Sequence, residues 1–403
     1  MANKPPVFYF NSNDGSSMLA FGSISSLRIE DNPSLDGIQE FINQNKSNYI
    51  FGFLSYDIKN EIESLSSNNI DELKFPLVYF FVPQNIVKIE KASFSYIQGE
   101  ESELNNDFVS LFIAKKNNDL QIVKEPVHWK ARTSKQKYLT VVSDIINEIK
   151  NGNIYEANYC QEYFANNVLI ENPIRCYDLI NSKSNAPFSS YINIDDDLFS
   201  FCGSPERYIK REDNLLTSQP IKGTAPRGSS NVEDQKNINR LINSKKDQSE
   251  NVMIVDLVRN DLSKIAKQNT VKVDELCGLY SFKTVHQLIS TVSCEIDKSV
   301  DFKSILQATF PMGSMTGAPK LSAMNIIEEK EDFKRGLYSG SIGYIKPNGD
   351  FDFNVVIRSL LYNKKKKYLS CSVGGAITYD SDPKSEYDEC QIKVGKLMSI
   401  FND

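Results

Sequence analysis

Between residues 134 and 151, Tyr138, Val141, Val142, Ile145, Ile146 and Ile149 recur at helical spacing, and Asn151-Gly152-Asn153 supplies a stop signal. Ahead of this helix the pattern differs. The runs Tyr49-Ile50-Phe51-Gly52-Phe53-Leu54 and Leu77-Val78-Tyr79-Phe80-Phe81-Val82 read as strands, and the polar stretches 64–72 and 98–107 as loops. Downstream, helical and strand signals alternate. Helices are expected over 231–244, 247–267 and 318–331 and from about 383, and strands over 338–346, 351–361 and 368–373. A hairpin turns at Pro347-Asn348-Gly349-Asp350. The pattern predicts a mixed α/β (α+β) chain of mostly antiparallel strands, with a sheet-rich part over 1–128 and a second part over 129–403.

The 403 residues are enough for two lobes or one large folded unit. Hydrophobic residues at 40% and charged residues at 24% exclude a disordered chain. A net charge of -6 argues against a nucleic-acid binder. The one concentrated basic run, Lys364-Lys365-Lys366-Lys367, lies between two strand-like runs and reads as a solvated hairpin turn. Seven scattered cysteines, none in C-x-x-C spacing, fit a reduced, cytoplasmic protein. Two histidines, His128 and His286, leave no His-rich zinc site, so a metal here would be a hard cation on carboxylates. Met1-Ala2-Asn3-Lys4-Pro5-Pro6 leads into no secretory signal and no membrane span.

Chemistry concentrates in the second part. Lys222 lies in Pro220-Ile221-Lys222-Gly223-Thr224-Ala225-Pro226-Arg227-Gly228, where flanking prolines disfavour an interior helix. Taken alone it reads as a solvated loop lysine. Beside Arg227 it has a route to a lowered pKa, and a neutral amine is a nucleophile. Two acidic pairs, Asp247 with Glu250 and Glu386 with Glu389, are each three apart on a helix face, with Lys393 on the second face. They read as first-turn acids favoured by the helix dipole, or as two facing pairs that hold Mg²⁺. The loop Phe310-Pro311-Met312-Gly313-Ser314-Met315-Thr316-Gly317-Ala318-Pro319-Lys320 precedes a helix without Walker A spacing. It offers N–H groups to a carboxylate, or is a tight turn, and the same alternatives apply to Gly374-Gly375-Ala376. Period two places Arg358 in a strand interior, facing with Asn354, as a carboxylate clamp or a buried ion pair.

Together these motifs resemble the chorismate-utilising enzyme family, which includes anthranilate synthase component I, aminodeoxychorismate synthase component I, isochorismate synthase and salicylate synthase. The resemblance runs from about 134 to 396. It rests on Gly203-Ser204-Pro205-Glu206-Arg207, on the 220–228, 250–262 and 310–320 segments, on Gly340-Ser341-Ile342-Gly343-Tyr344, on 353–358 and on Asp380-Ser381-Asp382-Pro383. Gly52-Phe53-Leu54-Ser55-Tyr56-Asp57 extends it thinly into the first part. The implied fold is the two-lobed anthranilate-synthase-like one, a central β-sandwich with helices outside.

The resemblance also implies roles. Glu250 and Glu389 match Mg²⁺ ligands, with Asp247 and Glu386 acting through water. Glu206 matches the general acid that expels the ring hydroxyl of chorismate. Tyr344, Arg358, Lys393 and the backbone of Gly374, Gly375 and Ala376 match groups that hold substrate carboxylates. His286 and Thr316 match pocket residues near the ring, and Thr224 falls in the pocket wall. Lysine at 222 marks the aminodeoxychorismate synthases and alanine the anthranilate synthases. The implied reaction is amination of chorismate through a Lys222 adduct, with ammonia from a separate glutamine amidotransferase subunit, as a step towards 4-aminobenzoate and folate. Isochorismate and salicylate synthases carry a lysine base where this chain has Glu156. The aminating branches usually carry glutamine there, so Glu156 departs from both, and Ala376 departs from a usual glycine.

Overall fold

The computed structural model describes residues 5–91, 93–116 and 121–401; Met1 to Lys4, where the N-terminal motif begins, lie outside them. Among the described residues nineteen strands join into one sheet network, and their pairings are antiparallel. Val7–Asn11 lies between Ser16–Ile29 and Phe188–Ile194. Ile50–Leu54 lies between Val78–Glu90 and Ser341–Ile345. Strands from before residue 128 are thus interleaved with strands from after it.

Side-chain alternation along these strands feeds two apolar cores. Phe8 and Ala20 enter one with Phe51, Phe81 and Ile192, while Tyr9, Leu19 and Phe21 enter the other with Tyr177, Tyr191 and Phe201. A strand buried on both faces needs no polar side, so 50–54 reads as an unbroken apolar run. The mixed α/β architecture of mostly antiparallel strands follows from this pattern.

The expected helices form with shifted ends. Lys135–Lys150 is capped by Ser134 and packs Tyr138, Val142 and Ile145 into the second core. Asn231–Ile242 and Lys245–Ser263 are separated by Ser244, whose side chain accepts from Asp247 N–H and starts the second helix. Pro383–Met398 starts from Asp382, with proline in its first turn. Besides the single turn Lys59–Ile62, the first part holds two helices that the pattern does not predict. Leu35–Gln44 carries a legible signal, a Ser34 cap and Leu35, Ile38 and Phe41 on one face. Glu103–Lys116 overlaps a stretch read as loop, because it buries little beyond Val109 and Phe112 in a polar sequence. The lysine run is a turn between Ser359–Asn363 and Tyr368–Ile377, as its composition implies.

The expected strand 351–361 breaks in two, Phe351–Asn354 and Ser359–Asn363. Asn354 ends the first by bonding sideways, its Oδ1 accepting from Ile342 N–H and its Nδ2 donating to Phe188 O. Val355 N–H then donates to Glu206 O, and Val356 N–H to Gly340 O. Arg358 has φ +52°, the left-handed region. It is therefore not in a strand interior, and period two does not set its direction. A non-glycine residue held there points to a local constraint.

One buried ion pair ties the segments together. Arg335 donates to Glu331 at 2.6 and 2.9 Å, to Met315 O at 2.6 Å and to Asn158 O at 2.7 Å. Its guanidinium lies 4.5 Å from the Tyr56 ring centroid, and Glu331 accepts from Cys160 N–H at 2.8 Å. Replacing Arg335 by Met leaves Glu331 buried without its cation, which should cost about 3–5 kcal/mol. Urea denaturation of Arg335→Met checks this. Adding Glu331→Gln should restore much of the loss, and an additive double variant would contradict the pairing.

Candidate active site

Glu156 opens the strand Glu156–Ala165, where it faces Ala318 and the preceding Tyr155 N–H donates to Ala318 O at 2.6 Å. Lys222 lies on the strand Ile221–Pro226. The next residue, Gly223, has φ +87°, and a Cβ there would meet Asp247 Cβ at 3.0 Å. Glycine thus lets the Lys245–Ser263 helix approach the lysine strand. Lys222 Nζ donates to Glu156 Oε1 at 3.0 Å, with 11% of the lysine and 1% of the glutamate side chain exposed. The other oxygen, Glu156 Oε2, is buried without a hydrogen-bond partner. Burial lowers the Lys222 pKa, but Glu156, Glu250 and Glu206 outweigh it and the net shift is upward. The lowering expected from Arg227 is overturned. Arg227 turns outward to Asp234 at 2.9 Å, and the neighbours of Lys222 are acids.

Glu206 lies in the two-residue link between the strands Leu198–Ser204 and Arg207–Glu212, and its Oε1 accepts from Ser314 Oγ at 2.6 Å. Burial pushes its carboxyl up to about 7, against Ser314, Lys222 and the Ile221 N–H. A carboxyl poised there can give or take a proton near neutral pH.

The two acidic helices meet with a lysine between them. Lys246 Nζ lies 2.9 Å from Glu386 Oε1 and 3.8 Å from Glu250 Oε1. Glu386 Oε1 also accepts from Ser381 Oγ at 2.8 Å, and Glu389 pairs with Lys393 at 2.7 Å. Burial pushes Glu250 up to about 7 in spite of Lys222 and Lys246. Glu389, whose side chain is half exposed, is partly desolvated in the same direction, but Lys393, Lys246 and Arg358 hold it below the usual carboxylate value. Asp247 stands against Gly223 at the edge of the group. Among the described residues no three His, Cys, Asp or Glu side chains converge closely enough to hold a metal ion. The donor chemistry still suits a hard cation, because Glu250 Oε1 is a buried carboxylate oxygen with no hydrogen-bond partner.

The side chain of Arg358 makes no hydrogen bond or ion pair among the described residues. Burial lowers its pKa, and Tyr338 and Glu389 are its leading electrostatic neighbours. A free guanidinium beside an acid site suits an incoming carboxylate. Gly374, Gly375 and Ala376 lie inside the strand Tyr368–Ile377, paired with Cys160, Tyr159 and Asn158, rather than in a turn after it. Their other neighbour, Ser359–Asn363, pairs only as far as Ser370, so these residues have no strand partner on that side among the described residues. Lys393 donates to Gly374 O at 2.9 Å, and a Cβ on Gly375 would lie 3.5 Å from Glu386 Oε2.

Four expected residues are turned elsewhere. Tyr344 stacks on Phe51 at 5.8 Å and meets Phe10 edge-on, packed against an apolar core. The tyrosine beside Arg358 is Tyr338, six residues earlier in the same motif region. Thr316 spends its hydroxyl on Met312 O and Gly313 O. His286 is fully buried, with Nε2 2.9 Å from Asp234 Oδ1 and Nδ1 2.8 Å from Ser281 Oγ. Thr224 is exposed, and its contact with Gln287 Nε2 is 3.5 Å long. The 310–317 loop is buried throughout, so it is not an open anion cradle. Conversely, Ser314, Tyr338 and Lys246 were not singled out as site residues. Lys246 precedes Asp247, but only the fold shows that it bridges two helices.

The profile of the chorismate binding enzymes matches residues 4–399. The chain is 32% identical over 352 residues to the anthranilate synthase component 1 of Saccharolobus solfataricus, covering 87% of this chain and 80% of that protein. It is 31% identical to the aminodeoxychorismate synthase component 1 of Bacillus subtilis, covering 84% and 73%. The crystal structure of anthranilate synthase component I from Streptococcus pneumoniae TIGR4 superposes with a TM-score of 0.78 at 24% identity, covering 100% of this chain and 93% of that one. With the acid cluster, the buried Lys222 and the free Arg358 already in place, these similarities assign the chain to the family of chorismate binding enzymes.

Proposed function

We propose that the chain is component 1 of an aminodeoxychorismate synthase, converting chorismate and ammonia to 4-amino-4-deoxychorismate and water. The observation that carries this reading is Lys222, a buried amine held by Glu156 with Glu206 and Glu250 as electrostatic neighbours. Arg358 takes a substrate carboxylate. Lys222 passes its proton to Glu156, the acceptor at 3.0 Å, and the free amine bonds to ring C2. The C4 hydroxyl leaves with the proton of Glu206 as water. Ammonia then bonds to C4, the lysine–C2 bond breaks, and the new ammonium returns a proton to Glu206. Lys222 recovers its proton from Glu156.

A bound Mg²⁺ would neutralise the ring carboxylate; Glu250 and Glu389 would hold it, with Asp247 and Glu386 acting through water. The relatives named component 1 support a second subunit, and we assign it as the glutamine amidotransferase that delivers ammonia. A location in the cytoplasm fits seven free thiols, six of them buried, and no described helix is long and apolar enough to cross a membrane.

The Saccharolobus relative and the Lys222–Glu156 pair favour one alternative. If Lys222 stays an ammonium, ammonia itself bonds to C2 as the C4 hydroxyl leaves as water with the proton of Glu206, pyruvate is then eliminated and anthranilate forms.

Purified protein with chorismate, Mg²⁺ and excess ammonium at mildly alkaline pH should yield the mass of aminodeoxychorismate. Lys222→Ala should lose roughly a hundredfold or more of this activity. Anthranilate and pyruvate as products would establish the alternative instead.

The same assignment has a stability consequence. Glu206 titrates at about 7 in the fold, above the ordinary 4.5, so it favours folding only while protonated. That contribution is complete below the unfolded value and is lost as pH rises through the folded one. Glu206→Gln removes the titration. It should unfold at higher urea than the parent at about pH 8, by up to about 3 kcal/mol, and close to the parent near pH 5. Equal stability at both values would contradict a raised Glu206.

A further inference from the structure

The buried 310–317 loop has a use other than anion binding. Its turn Gly313–Met315 is closed by Met315 N–H to Met312 O at 3.0 Å and Thr316 N–H to Gly313 O at 3.2 Å. Gly313 packs against the Lys245–Ser263 helix, where a Cβ would lie 2.8 Å from Leu257 Cδ2. Met315 O is fixed by Arg335 at 2.6 Å. The side chain this turn delivers is Ser314, 7% exposed, whose Oγ donates to Glu206 Oε1 at 2.6 Å. Beside the pair lies a cavity of about 20 Å³ lined by Glu206, Ser218, Asp261, Thr309 and Ser314, among others, which is room for one water.

We infer that Ser314 is a positioning residue for Glu206: its hydroxyl occupies Oε1 and leaves Oε2 as the oxygen that carries the transferable proton. The inference rests on the proposed role of Glu206. Removing the hydroxyl leaves the Ile221 N–H as the remaining hydrogen-bond donor on the carboxyl, which is then less firmly oriented and can place its proton on either oxygen. It also withdraws a donor that favours the ionised form, so Glu206 then ionises at higher pH. The charged groups around Glu206 do not substitute for Ser314. Lys222 acts across the site from the Ile221–Pro226 strand. Arg207 is bound to Asp352 at 2.9 Å, and Asp261, from the Lys245–Ser263 helix, pairs with Lys320 and Lys264.

The test compares parent, Ser314→Ala and Ser314→Thr by chorismate consumption across pH, and by infrared titration of the protonated carboxyl assigned through Glu206→Gln. Ser314→Ala should lower kcat roughly tenfold with KM nearly unchanged, and move the alkaline limb of the rate profile and the infrared titration upward together. Ser314→Thr, which keeps the hydroxyl, should restore both. An active parent whose kcat, profile and titration are matched by Ser314→Ala would overturn the inference alone. A parent that consumes no chorismate with ammonium and Mg²⁺ would overturn the proposed function and any catalytic role for the contact with it.

Discussion

The buried pair of Arg335 and Glu331 is the contact on which the site-bearing segments depend. One guanidinium holds the carbonyls of Met315 and Asn158 and covers the Tyr56 ring. Met315 belongs to the turn that presents Ser314, and Asn158 to the strand that presents Glu156. Tyr56 anchors the pair to the first part of the chain, where Asp57 Oδ2 also accepts from Gly336 N–H at 2.9 Å. Tyr338 and Arg358 lie just beyond. A planar group with five donors can organise several strands at once in a way that apolar packing, which has no direction, does not.

Charge balance is the second constraint. Glu156, Glu206, Glu250, Glu386 and Glu389 are interleaved with Lys222, Lys246, Lys393 and Arg358. The cluster is close to neutral, because burial pushes Glu206 and Glu250 up to about 7 and leaves each only partly ionised at neutral pH. A substrate with two carboxylates disturbs that balance by two negative charges. Under the proposed function, a divalent cation bound with the substrate would offset that charge.

The sequence carried much of this, unevenly. The helices with Glu250 and Glu389 were legible because capping residues and apolar spacing agree there. The strands buried on both faces were legible as apolar runs, but not their order, since pairings such as Ile50–Leu54 with Ser341–Ile345 leave no local trace. Arg358 was legible as chemistry and not as geometry, because side-chain bonds of Asn354 end its strand early. The local sequence points to a lowered Lys222 pKa, and the fold gives a raised one. Its decisive neighbour, Glu156, lies 66 positions away, while the adjacent Arg227 faces solvent. Tyr344 shows the limit of motif matching: a tyrosine of the right motif packs against the core, and Tyr338 lies beside Arg358.

The interleaving of strands bears on how the protein can be divided. The break in character near residue 128 looks like a place to cut, yet Val7–Asn11 and Ile50–Leu54 are inner strands of the sheet. A fragment starting at residue 129 would bare the edges of Phe188–Ile194 and Ser341–Ile345 together with both apolar cores. Unpaired, apolar edges of that kind recruit other chains, so such a fragment would aggregate rather than stand as a smaller catalyst. The two parts are separate in composition and inseparable in folding.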